Sequence, residues 1–253
     1  MITDSHAHIY LPEFDEDLDE VVARATEVGV SQIYMPNIDS STINQMHDVE
    51  KKYSHCKSMM GLHPCYVKAN YKDELKIVEE HLSKRQYAAV GEIGVDLYWD
   101  KTFAVEQFEA FSAQIEMARQ HGLGFVIHSR ESLDQTIGTV AKHQKGDLRG
   151  IFHCFNGSVE QGKRIIDLGF YLGIGGVVTY KNAGVDKSVK ELPITSMVLE
   201  TDSPYLSPGP KRVKRNEPAR LSLVLDKMEQ LFEMEREEII SITTDNCTKV
   251  FSY

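Results

Sequence analysis

His6 and His8 stand one residue apart at the start of the chain, just behind a β-rich run. On a strand, residues i and i+2 face the same side, so these two imidazoles point at one place and form a natural pair of metal ligands. Further reactive side chains fall at the ends of other apolar runs. Glu92 closes Ala89-Val90-Gly91, His128 closes Phe125-Val126-Ile127, His153 closes Gly150-Ile151-Phe152, and Asp202 follows the run at 197–201. Burying four histidines and two carboxylates together costs free energy unless they are paired or coordinated. A set of imidazoles and carboxylates suits Zn²⁺, Mn²⁺, Mg²⁺ or a similar ion. Six donors exceed what one four-coordinate zinc uses, so two divalent cations are expected.

Something must carry these residues to one place. Short apolar runs read as strands at 2–8, 32–36, 58–63, 88–96, 124–128, 150–153, 170–174 and 197–201. Between them lie amphipathic segments. Leu18, Val21, Val22, Ala25 and Val28 recur at helical spacing within 16–28, and Phe108, Phe111, Ile115 and Ala118 do so within 107–121. Further helices fit 42–53, 73–84, 133–143, 160–168, 219–232 and 236–251. Eight strands alternating with helices over 253 residues predict a (β/α)₈ TIM barrel spanning 1–253 as one domain, with a doubly wound sheet as the alternative. In a parallel barrel the strand ends share one rim, where such folds place their chemistry.

Composition narrows the partners. Lys and Arg number 28 against 38 Asp and Glu, a net charge of −10, which excludes a wholesale basic nucleic-acid binder but not a local basic patch. Cys56, Cys65, Cys154 and Cys247 form no C-x-x-C pair, so neither a disulfide framework nor a zinc knuckle is expected. No apolar run approaches the roughly 18 residues of a membrane span. The first basic residue is Arg24, so no secretory leader is expected, and the reading is a cytoplasmic monomer without a membrane or obligate protein partner. The acidic stretch 13–20 reads as the first turns of a helix rather than a calcium loop, because it lacks the required glycine and ligand spacing.

Competing motifs are weaker. Residues 157–164 approach a phosphate-binding loop, but Arg164 stands where a Ser or Thr should be, and the segment reads as a helix start capped by Ser158. There is no G-x-S-x-G elbow. Cys154 adjoins His153, but neighbours on a strand face opposite ways, so it reads as a small buried residue. The run Lys211-Arg212-Val213-Lys214-Arg215 follows Pro208-Gly209-Pro210 and should form a basic loop beside Asp202, suited to phosphate. Arg130, two residues past His128, is a second phosphate candidate.

Together these residues resemble the TatD-type metal-dependent deoxyribonucleases of the amidohydrolase superfamily. The resemblance is carried nearly end to end by Asp4-Ser5-His6-Ala7-His8, Gly61-Leu62-His63-Pro64, Gly91-Glu92-Ile93-Gly94-Val95-Asp96, Ile127-His128-Ser129-Arg130, His153-Cys154-Phe155-Asn156-Gly157-Ser158, Glu200-Thr201-Asp202-Ser203-Pro204-Tyr205-Leu206 and Arg215-Asn216-Glu217-Pro218. It implies a TIM-barrel hydrolase with a divalent metal centre and exonuclease activity on DNA. His6 and His8 would bind one metal, His128 and His153 would help bind the second, and Glu92 would bridge them. Asp202 would bind metal and touch the attacking water, while His63 would lie near the substrate. Asn216, with Arg130 and the basic loop Lys211, Arg212, Lys214 and Arg215, would face the substrate. Departures are Tyr10 where many members have an acid, Gly173 and Gly175 at positions often held by serine, and Val213 for a common glycine.

The expected reaction is hydrolysis of a phosphodiester, from a 3′ end of DNA, with Asp202 taking the proton of the attacking water. RNA or tRNA is a further candidate substrate. The same centre acting on an amide or ester, such as a D-aminoacyl ester on tRNA, is the alternative. A barrel that only binds metal or nucleic acid fits less well, because binding needs no extra carboxylate such as Asp202.

Overall fold

Each apolar run becomes a parallel strand, and each strand is followed by a helix before the next. The computed structural model describes residues 1–210 and 213–251. The strands are β1 (Ile2–Asp4), β2 (Val30–Pro36), β3 (Cys56–Met59), β4 (Val90–Asp96), β5 (Phe125–Arg130), β6 (Gly150–Phe152), β7 (Tyr171–Ile174) and β8 (Met197–Leu199). The helices are α1 (Leu18–Glu27), α2 (Ile43–Lys52), α3 (Tyr71–Lys84), α4 (Ala104–Gln120), α5 (Leu133–His143), α6 (Val159–Asp167), α7 (Val185–Lys190), α8 (Leu221–Phe232) and α9 (Arg236–Val250).

The strands form two parallel stretches, β1-β2-β3 and β4 through β8 in chain order. Two seams join them into a cylinder. At one, Met60 bridges Val90. At the other, the Ser5 amide donates to Leu199 O at 2.9 Å and Ala7 bridges Ser203. The fold is a (β/α)₈ barrel. Three strands stop earlier than the apolar runs suggest: β1 ends at Asp4 rather than residue 8, β3 at Met59 rather than 63, and β8 at Leu199 rather than 201. The chain beyond them leaves the regular ladder for the seams. His8 N donates to Ser203 O at 2.7 Å and Asp202 N to His6 O at 2.8 Å.

Strand parity then separates floor from site. Tyr34, Met59, Val126, Ile151 and Val198 pack into one buried cluster with Cys247, Val250 and Phe251 from the end of α9. That cluster fills the lower lumen, and Phe251 stacks on Tyr34 with ring centroids 3.7 Å apart. Two residues further along their strands are His128, His153 and Glu200, so the parity that lays the floor also aims these side chains inward. The opposite parity, Phe125, Ile127, Phe152, Leu172 and Leu199, joins the larger cluster beneath the helices. There α1 buries Val21, Val22 and Ala25, and α4 buries Phe111, Ile115 and Ala118.

Residues 157–164 cap a helix, as expected. The Ser158 hydroxyl accepts from Gln161 N, and the Gln161 side chain accepts from Ser158 N, a reciprocal capping box at the start of α6. Gly162 is buried within that helix, where an added Cβ would overlap Leu192. Among the described residues no helix is long and apolar enough to cross a membrane.

Candidate metal centre

Glu92 stands at the middle of the site, 2% exposed, and its two oxygens serve different partners. Oε2 lies 3.2 Å from His6 Nε2 and 3.5 Å from His8 Nε2. Oε1 lies 3.0 Å from His128 Nδ1 and 3.1 Å from His153 Nε2. Asp202 joins the first group, with Oδ1 at 3.6 Å from His6 Nε2 and 3.7 Å from His8 Nε2. All six expected ligands therefore converge, in two sets that share one carboxylate. Three overlapping groups of candidate ligand atoms lie within 4.8 Å of one another: His6, His153 and Asp202; His6, His8 and Glu92; and His63, Glu92 and His128.

The hydrogen bonds behind the rings decide which nitrogens present lone pairs. Tyr10 gives its one hydroxyl proton to Pro36 O at 2.5 Å, so it must accept from His8 Nδ1 at 3.0 Å. His8 Nε2 is then the bare nitrogen facing the centre. Glu200 Oε1 faces His153 Nδ1 at 3.2 Å, and Asp96 Oδ2 faces His128 Nε2 at 2.9 Å, so the inward atoms are His153 Nε2 and His128 Nδ1. His6 and His8 bring their Nε2 atoms within 3.2 Å of each other, and His6 Nδ1 is buried without a hydrogen-bond partner. Acceptor atoms this close, aimed at each other and at carboxylates, are satisfied by cations between them. The donor set fits divalent metals.

Charge distribution follows burial. Burial pushes His6 down to about 4, with His153 adding to the fall. Burial pushes Glu92 up, but His6, His153 and His63 outweigh it and hold the carboxylate well below its usual range. Asp202 is pushed up to about 6 by burial, against the opposing pull of His153 and His8. Its backbone is left-handed, with φ of 56°, as is that of Cys154 at 48°, an uncommon conformation for residues with a Cβ.

His63 resolves differently from the ligands. Its Nδ1 accepts from Cys65 N at 3.1 Å, so in the neutral ring Nε2 carries the proton, 3.6 Å from Glu92 Oε1. Although grouped spatially with Glu92 and His128, it is a donor at the mouth of the cavity. That cavity, of about 1090 Å³, is also lined by Asp96, Trp99, Arg130, Tyr205 and Lys214. Cys154 lines it too, contrary to the expectation of a small buried strand residue, because β6 ends at Phe152 and the next turn is left-handed. Burial pushes its thiol up to about 12.

The basic loop is corrected in part. Lys211 and Arg212 lie outside the described residues. Lys214 lines the cavity. Arg215 does not: its guanidinium binds Asp17 at 2.6 and 2.7 Å, donates to Glu13 O, and lies 4.7 Å over the Phe14 ring. Its charge is already matched. Asn216 is fully buried, donating to Thr201 O at 2.8 Å and accepting from Glu217 N, so it shapes the Asp202 turn from behind instead of facing substrate. Sequence reasoning had no function for Tyr10, Asp96 and Glu200, which orient three of the imidazoles. Spacing gave no signal for Asp96 and Glu200, which reach their rings only through the fold, whereas Tyr10 stands two residues past His8, the spacing that puts both on one side of an extended chain. Gly173 is one consequence: an added Cβ there would overlap Glu200 Oε2.

The sequence model of one family, TatD related DNase, matches residues 3–252. The metal-dependent hydrolase YabD of Bacillus subtilis is 36% identical over 252 residues, covering 99% of both chains. The metal-dependent hydrolase YcfH of Escherichia coli is 28% identical, covering 99% of this chain and 95% of its own. Among solved structures, the TatD homologue YjjV of Escherichia coli superposes with a TM-score of 0.93 at 26% identity, over 99% of this chain and 97% of that one.

Proposed function

Because this chain belongs to the TatD-related DNase family of metal-dependent hydrolases, we propose that it hydrolyses phosphodiester bonds of DNA, removing nucleotides from a 3′ end. The observation that carries the reading is Glu92, one carboxylate with an oxygen turned to each of two ligand sets, beside Asp202 on the cavity side. His6 and His8 would hold one cation with Asp202, and His128 and His153 the other. Two bound divalent cations supply Lewis acidity to a phosphoryl oxygen and lower the pKa of water.

The chain's own residues do the rest. Tyr10, Glu200 and Asp96 keep three imidazoles in the tautomer and orientation that ligation needs. Asp202 takes the proton of the attacking water at its carboxylate, and burial raises its basicity for that task. His63 donates from Nε2 toward a phosphate oxygen at the mouth. Arg130 and Lys214 supply positive charge to the strand in a molecule whose net charge is −10.

The test is a metal-reconstituted screen with Zn²⁺, Mn²⁺ and Mg²⁺ on end-labelled single-stranded DNA, RNA and D-aminoacyl-tRNA, run beside Asp202→Asn. Loss of a general base lowers turnover by roughly 10²–10⁴-fold. The expected result is stepwise shortening of DNA from the 3′ end and at least about a hundredfold loss in Asp202→Asn. Deacylation of the tRNA without cleavage of DNA assigns the centre to an ester instead.

A further inference from the structure

The cavity mouth carries a feature that metal chemistry does not need. Among the described residues, the exposed aromatic side chains are Tyr66, Tyr98, Trp99 and Tyr205, and Trp99, the chain's single tryptophan, is 68% exposed. Tyr66, Trp99 and Tyr205 line the cavity, and Tyr98 adjoins Trp99 edge to face, with ring centroids 4.9 Å apart. An exposed indole on the wall of the cavity that holds the candidate metal ligands calls for an occupant.

The loop that presents it is fixed in place. Asp96 Oδ1 accepts from Tyr98 N at 2.9 Å and from Trp99 N at 3.0 Å, while its other oxygen faces His128. One carboxylate thus ties the aromatic pair to a metal-ligating ring. Asp100 is tied in turn to Lys68 at 3.0 Å. Arg130 lies 3.9 Å over the Tyr98 ring and 5.1 Å from the centre of Trp99. The wall is therefore a flat aromatic face beside a guanidinium, on a loop whose backbone is held at both residues.

We propose that Trp99 stacks on the base of the terminal nucleotide of a single strand, with Arg130 beside it matched to the adjoining phosphate. The inference rests on the nucleic-acid reading above and names the side chain that holds the terminal base. A flat ring accepts any base, because every base has a π-face, and a guanidinium matches phosphate. A base inside a duplex has both faces covered by its neighbours. The end of a single strand offers an unpaired base that can turn onto Trp99 and be held there.

The experiment uses metal-loaded protein carrying Asp202→Asn to stop turnover, and short labelled oligodeoxynucleotides whose 3′ residue is either normal or abasic. Removing one base–aromatic stack weakens binding by roughly 5- to 150-fold. Binding quenches Trp99 fluorescence for the normal end and much less for the abasic end. Trp99→Ala lowers affinity for the normal end by that factor and leaves little preference over the abasic end, and Trp99→Phe retains part of it. If Trp99→Ala keeps the full preference while the unsubstituted protein shortens DNA, the stacking wall fails and the nuclease reading stands. If the normal end binds through Trp99 but the unsubstituted protein cleaves no oligonucleotide, the nuclease reading fails and the wall stands. If neither end binds, both are overturned.

Discussion

Three rings of the centre are aimed by Tyr10, Glu200 and Asp96 behind them, and the carboxylates around His153 make metal uptake a proton exchange. Burial lowers His153, but the Glu92 and Glu200 carboxylates outweigh it and raise the ring well above its ordinary value. Without metal, His153 is therefore protonated at neutral pH, and a cation arriving there must displace that proton. Asp202, pushed up to about 6, adds a second proton to displace below that pH. The sign follows: protons compete with metal, so affinity falls as pH falls. With one proton displaced, the apparent dissociation constant should rise about tenfold per pH unit lowered through the neutral range, and more steeply below about 6. Metal titration of chelator-stripped protein at several pH values, with calorimetry in two buffers to count released protons, checks this. Affinity flat across the neutral range would mean that His153 enters the site already neutral.

Between elements, the decisive contact runs from β7 to the end of β8. Gly173 lies on β7, and the Glu200 carboxylate occupies the space a side chain there would need. Glu200 also accepts from Cys154 N at 2.6 Å, so it has little room to retreat. Gly173→Ala should cost about 1–3 kcal/mol by overpacking, and should lower bound metal by turning His153 away from Glu92. Denaturant unfolding and elemental analysis read the two effects separately. Unchanged metal content would show that Glu200 can shift without moving the ring. At this scale much was legible beforehand. The range 133–143 coincides with α5, and the other seven expected helices all appear within three residues of their expected ends, because a buried apolar stripe recurs on each. The short α7 was not legible: it has one and a half turns, begins after a left-handed Gly184, and buries only Val185 and Val189. The strands read too long at β1, β3 and β8, because local apolar pattern cannot tell a ladder residue from one that closes a seam across the barrel.

For the whole molecule, the barrel has an apolar end and a reactive end, and the chain's last helix secures the first. Phe251 is 6% exposed and stacks on Tyr34 beneath the floor formed by Met59, Val126, Ile151 and Val198. Truncating a buried phenylalanine to alanine costs about 3–5 kcal/mol. Phe251→Ala should therefore destabilise the protein by about 3 kcal/mol while leaving metal content intact, since the floor lies below the ligands. Thermal unfolding and elemental analysis check it, and parallel loss of metal would mean that floor and site move together. The sequence by itself determined the alternation of strands and helices, the reactive residues at strand ends, and the identity of all six converging donors, because periodicity and residue chemistry are local properties. It could not determine which ring nitrogens face inward, that His63 is a donor, that Arg215 is spent on Asp17 and Asn216 on Thr201, or that the exposed aromatics gather at one mouth. Most of those depend on partners far apart in the chain, such as Tyr10 with Pro36 or Arg215 with Asp17, which only closure of the barrel brings within hydrogen-bonding distance, while His63 is set by the backbone amide of Cys65, whose direction the sequence pattern does not reveal.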